Sequence, residues 1–129
     1  MKRHSTYGGL WIVALTVYAL AGPAQAQSTW TGASNSNWST DGNWDAPPAS
    51  GASLIFTSAT GTGGLNLNND LTTAAFNIAG ITFDAGAAAF VIGDGTANAN
   101  VGNTFVLTGN IVNNSTSLQT INNPFSKNR

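Results

Sequence analysis

The side chains able to do chemistry are few, and most of them sit together. Trp30, Trp38 and Trp44 fall within TWTGASNSNWSTDGNWDAPP (Thr29–Pro48), alongside Asn37, Asn43, Asp41 and Asp45; Asp70, Asp84 and Asp94 complete the carboxylates. Two chemistries use such residues. Indole faces flanked by amides and carboxylates suit a saccharide platform, with rings against the apolar face of a sugar and polar neighbours on its hydroxyls. Paired carboxylates suit glycoside hydrolysis, one as acid and the other as base or nucleophile. The carboxylates mostly stand among Gly, Asn and Thr, where turn and solvated-edge roles are the simpler reading.

Other chemistries are excluded by what is missing. After residue 26 there is no His, Cys, Glu or Tyr. Ser-His-Asp and Cys-His catalysis therefore cannot be assembled, nor can the common nitrogen and sulfur metal sites. Gly93-Asp94-Gly95-Thr96 is one copy of a unit that calcium-binding repeats need at a nine-residue period, so it reads as a turn. The expectation is a protein that is not an enzyme and uses no cofactor or metal. The residues after Ala26 hold five Asp against only Lys127 and Arg129, a formal charge of −3. No phosphate-tracking surface can form, which excludes nucleic acid as a partner.

The N-terminal end reads as a targeting segment. A basic start (Met1-Lys2-Arg3-His4), an apolar stretch (Leu10–Ala21), a Gly22-Pro23 break and a small-x-small Ala24-Gln25-Ala26 make a secretory signal peptide over residues 1–26. The apolar stretch is shorter than the ~20 residues that span a bilayer. The mature chain is thus expected to be exported, to the surface, the medium or the periplasm of a bacterium, with no membrane span. Without Cys it must be held by burial and backbone hydrogen bonds alone.

These side chains must be positioned by strands. Beyond Pro47-Pro48 come short apolar pieces: Leu54-Ile55-Phe56, Leu65-Asn66-Leu67, Phe76-Asn77-Ile78, Ile81-Thr82-Phe83, Phe90-Val91-Ile92, Phe105-Val106-Leu107 with Ile111-Val112, and Leu118 with Ile121. Several alternate apolar and polar residues, the period of a strand with one buried face. Between them stand turn-forming groups such as Thr-Gly-Thr-Gly-Gly, Ala-Gly, Thr-Gly-Asn and Asn-Asn-Ser. No ten-residue helical period follows Ala26, so the fold class is all-β. A small β-sandwich is one architecture, though its strands are longer. The alternative is a solenoid of β-coils, favoured by strands of three to five residues and by sixteen Asn suited to tight corners.

The run Trp30-Thr31-Gly32, Asn37-Trp38-Ser39-Thr40, Gly42-Asn43-Trp44 and Pro47 resembles the opening of bacterial autotransporter-type passengers with passenger-associated β-strand repeats. Leu65-Asn66-Leu67, Ile78–Phe83 and Phe90-Val91-Ile92 are similar to the first coils of that family. The resemblance, over about Trp30 to Ile121, implies a right-handed parallel β-helix. It also implies a non-enzymatic, adhesin-like surface or secreted segment, with glycans or cell-surface components as partners and further coils in a full-length parent. The family's long series of coils and its C-terminal membrane barrel have no counterpart here, so the chain reads as the head of a longer passenger. The expected organisation is a signal peptide (1–26), a tryptophan-rich N-terminal cap (27–50) and β-helix coils (51–129). In this reading Trp30, Trp38 and Trp44 cover the open end of the first coil, because an uncapped solenoid end exposes apolar side chains and unpaired strand edges. The rival is a small secreted carbohydrate-binding module using the same three rings.

Overall fold

The computed structural model describes residues 25–58, 60–71, 76–93 and 103–127. The signal-peptide segment apart from Gln25 and Ala26, and the Gly-Asp-Gly-Thr unit apart from Gly93, lie outside the described residues. Among the described residues nine short strands carry the fold: β1 (Gln27–Thr29), β2 (Ala52–Phe56), β3 (Asn66–Leu67), β4 (Phe76–Phe83), β5 (Val91–Ile92), β6 (Phe105–Leu107), β7 (Ile111–Asn113), β8 (Thr120–Ile121) and β9 (Phe125–Lys127). The single helical element among the described residues is a 3-10 turn at Asp41–Asn43. Among the described residues no helix is long and apolar enough to cross a membrane.

The strands build a parallel β-solenoid of about three turns. One sheet runs β1-β2-β4-β6-β9 with β7 also on β4, and the other runs β3-β5-β8. Every pairing between these strands is parallel. That sets aside the sandwich alternative, whose sheets are antiparallel. Ser28, Leu54, Ile81 and Ile111 stack one above another, so successive coils take 26, 27 and 30 residues.

Alternation directs the side chains. Along β2, Ala52, Leu54 and Phe56 are buried while Ser53 and Ile55 are half-buried on the other face, the period-2 signature of a strand lying on a core. Stacked coils then place like on like. Phe56 lies on Phe83 (ring centroids 5.2 Å apart) and Phe105 on Phe125 (5.4 Å). On the second sheet Leu67, Ile92 and Ile121 form an aliphatic column. Each fully buried Leu, Ile or Phe contributes about 1.5–3 kcal/mol by burial, the main term opposing the entropy of ordering so short a chain.

Three local features depart from the expected pattern. Ala79-Gly80 is not a turn: it lies inside the continuous β4, where the register slips and Ile78 and Ala79 are both buried. The coil above repeats the irregularity as a full break, with β6 and β7 lying end to end over β4 and Thr108-Gly109-Asn110 between them. Gly109 is required at that crossing, since an added Cβ would collide with the carbonyl oxygen of Ala79. Leu118 is not a core residue but 82% exposed, and a ninth strand follows it at Phe125–Lys127, in a segment that carries no alternating apolar signal.

Candidate functional site

The tryptophan segment is placed by strand pairing at one end and by a single asparagine at the other. β1 runs into Trp30, whose amide donates to the Ile55 carbonyl at 2.8 Å. The chain then turns at Gly32 (φ +59), where a side chain would strike the Thr60 carbonyl oxygen. Asn43, fully buried, gathers the returning loop. Its Oδ1 accepts from the amides of Ser34 (2.9 Å) and Asn35 (3.0 Å), while its Nδ2 donates to Asn35 Oδ1 (2.8 Å) and the Asn37 carbonyl (2.7 Å). Its own carbonyl accepts from Thr31 and Gly32. A buried amide with every bond made fixes one loop conformation. Asn37 meanwhile pairs in parallel with Asn68, and Asn68 Nδ2 donates to Asn37 Oδ1 at 3.1 Å. Residues 27–50 therefore contribute one strand to the main sheet and a bridge to the residue after β3.

Inside that loop the three indoles form a plug. Trp30, Trp38 and Trp44 are 0%, 1% and 5% exposed. Trp44 stands edge-on to both others, with centroids at 5.0 Å from Trp30 and 5.9 Å from Trp38. All three lie on Phe56, at 6.0–6.4 Å. Edge-to-face contacts of this kind add about 0.5–1.5 kcal/mol beyond area burial. Trp44 Nε1 donates to the Trp38 carbonyl at 2.9 Å, whereas the Trp30 and Trp38 indole N–H groups are buried with no hydrogen-bond partner. Such an orphaned donor costs about 1–3 kcal/mol. The plug is thus held by apolar contact and by one indole hydrogen bond, that of Trp44.

A saccharide platform needs a ring face open to solvent, and these rings have none. Of the three rings offered as carbohydrate contacts, Trp30, Trp38 and Trp44, the faces are taken up by one another and by Phe56.

The described carboxylates are spread over three coils, Asp41 and Asp45 on the first, Asp70 on the second and Asp84 on the third. Asp45 works on the strand edge: Thr29 N–H donates to its Oδ1 at 2.6 Å and its own N–H donates to the Thr29 carbonyl at 3.0 Å. The Thr29 amide chiefly, helped by the amide of Ala46 and opposed by slight burial, holds the Asp45 carboxyl below its ordinary value. Asp70 clamps the first coil to the second, accepting from Ser39 N–H (2.8 Å) and Ser39 Oγ (2.6 Å). Asp41 opens the 3-10 turn and Asp84 follows β4, both exposed. Among the described residues no group of three or more His, Cys, Asp or Glu could hold a metal ion.

Two determinants escaped the sequence reading: the hub role of Asn43 and the edge bond of Asp45. Their only signal was position inside Gly42-Asn43-Trp44-Asp45, where each looked like a turn residue. No family model, curated protein or solved structure matches the chain.

Proposed function

We propose that this chain is a non-enzymatic, exported structural segment: the first turns of an adhesin-like bacterial β-helix at the cell surface or in the medium. One observation carries the reading, the unequal treatment of the two solenoid ends. The N-terminal end is filled by a tryptophan plug and bonded along its outer strand by Asp45. The other end presents β7 and β9, each paired on one side only among the described residues. A closed start and a stackable end are what a segment followed by further coils requires. The uncharged Asn, Ser and Thr of the exterior suit contact with glycans or other surface components.

The test is expression of the full chain in a secreting bacterial host, followed by fractionation and N-terminal sequencing. The expected product begins at Gln27, lies outside the cytoplasm, and shows the blue-shifted emission of buried indoles. An unprocessed product retained in the cytoplasm would overturn export. Emission that shifts on adding polysaccharide would move the assignment to a carbohydrate-binding module.

A further inference from the structure

Three stretches of the chain have the Asn-x-Ser/Thr form that accepts a sugar on the asparagine amide: Asn37-Trp38-Ser39, Asn113-Asn114-Ser115 and Asn114-Ser115-Thr116. Transfer asks for two free groups at once, an amide nitrogen that can reach a sugar and a hydroxyl two residues on for the transferase to grip. The fold denies them to two of the three. In the first, Asn37 Oδ1 accepts from Asn68 Nδ2 (3.1 Å), Trp38 is part of the plug, and Ser39 Oγ donates to Asp70 (2.6 Å). In the second, Asn113 stacks in the core column above Phe83. Its Nδ2 donates to the Ser117 carbonyl at 3.0 Å, and its own Oδ1 takes the Ser115 hydroxyl at 2.7 Å.

The third is open, and the loop that carries it keeps it so. Asn113, Ser115, Ser117 and Gln119 hold residues 113–119 together: Ser115 N–H donates to Asn113 Oδ1 and Ser117 N–H to Ser115 Oγ. Gln119 fastens the loop to the coil below, its Nε2 donating to the Ala88 carbonyl (2.8 Å) and its Oε1 accepting from the Phe90 amide (3.0 Å). The residues between them, Asn114, Thr116 and Leu118, are exposed. The Asn114 and Thr116 side chains make no hydrogen bond among the described residues. The exposure of Asn114 is lateral and does not depend on what lies above the last turn. Asn114 N–H donates to the Phe83 carbonyl just as Asp84 N–H, one coil below, donates to that of Phe56. Asp84 holds the same place in its coil, has the next coil stacked over it, and is still exposed. A further coil therefore leaves Asn114 in solvent.

We propose that Asn114 is the acceptor of an N-linked sugar, delivered by a transferase from a diphosphate-activated donor. Asn114 Nδ2 bonds to the anomeric carbon of the sugar. The bond from that carbon to the diphosphate oxygen breaks, its electron pair leaving on the diphosphate, and one Nδ2 proton passes to a base of the transferase. The proposal goes beyond the function given above and needs neither export nor further coils.

The test uses the folded full chain in two arms. One supplies a soluble asparagine glycosyltransferase with a nucleoside diphosphate hexose, the other a membrane transferase with a polyprenyl diphosphate sugar. Intact mass and peptide mapping read the product. One sugar per chain, on Asn114, is expected, and the arm that gives it identifies the class of donor. Asn114→Gln and Thr116→Ala should lose the sugar while Thr116→Ser keeps it. Both positions are exposed and unbonded, so all three variants should melt with the parent. Sugar mapped to Asn37 or Asn113, equal transfer to Thr116→Ala and the parent, or no transfer in either arm overturns the proposal.

Discussion

Among single residues, the tryptophan plug makes an uncommon prediction. Trp38 buries an indole N–H with no partner, whereas Trp44 donates its own to the Trp38 carbonyl. Trp38→Phe keeps most of the ring and discards an orphaned donor, so it should lie within about 1 kcal/mol of the parent. Trp44→Phe breaks a bond and strands a buried carbonyl, and should cost about 1–3 kcal/mol more in urea unfolding. Equal losses would mean that ring volume alone matters. Asp45 sets the acid behaviour. Its folded pKa is depressed from the ordinary 3.8. The stability it contributes is therefore present above that value and lost as pH falls through the folded pKa. Asp45→Asn keeps an acceptor at Oδ1 and removes the charge. Its melting temperature should fall less steeply than the parent's below about pH 4, with the difference shrinking in salt because the group is exposed.

Between elements, the critical point is the crossing of Gly109 over Ala79. The slip in β4 and the break between β6 and β7 are one irregularity carried from coil to coil. Gly109→Ala forces a Cβ into the Ala79 carbonyl and should cost more than about 2 kcal/mol, the range of backbone-level insults. Amide exchange should quicken at Ile111–Asn113 before it does in β2. Gly80→Ala is the milder control, because a Cβ there would sit 3.1 Å from the Asn110 carbonyl oxygen. This crossing also marks where the sequence stopped being legible. Leu54-Ile55-Phe56 and Phe105-Val106-Leu107 are plain as strands because alternation is local. Ala79-Gly80 reads as a turn because nothing local reports that Asn110 and Gly109 pass overhead. Leu118 reads as core for the same reason, and β9 is hidden because its pairing with β6 supplies what Phe125-Ser126-Lys127 lacks in pattern.

For the whole molecule, a parallel solenoid and an all-β class were readable from short strands, Asn-rich corners and the absence of helical periods. Coil alignment was not, since repeats of 26, 27 and 30 residues blur any fixed period. Burial of the tryptophans answers what three indoles do in a polar stretch: the apolar wall they need is Phe56, a coil away in sequence. Phe56 touches all three, as well as Phe83 and Phe90. Phe56→Ala should cost about 3–5 kcal/mol, a large share of the roughly 5–15 kcal/mol that holds a domain of this size. Loss of near-ultraviolet dichroism from tryptophan together with far-ultraviolet change would show that plug and coils melt as one. Separate transitions would show that they do not.

The plug on Phe56 has a bearing on how the chain folds as it emerges, N-terminus first, from a ribosome or a translocon. Ahead of Phe56 the loop gathered by Asn43 can close, but the strand of the first coil awaits Ser53 and Ile55 for its sheet hydrogen bonds and the indoles await their apolar wall. Once Phe56 is out, the three indoles have the ring they share and form a nucleus to which Phe83, Phe90 and Phe105 of later coils add in turn. Growth proceeds from the sealed end toward the open one, in the direction of synthesis, so a half-emerged chain is already folded up to its last complete coil.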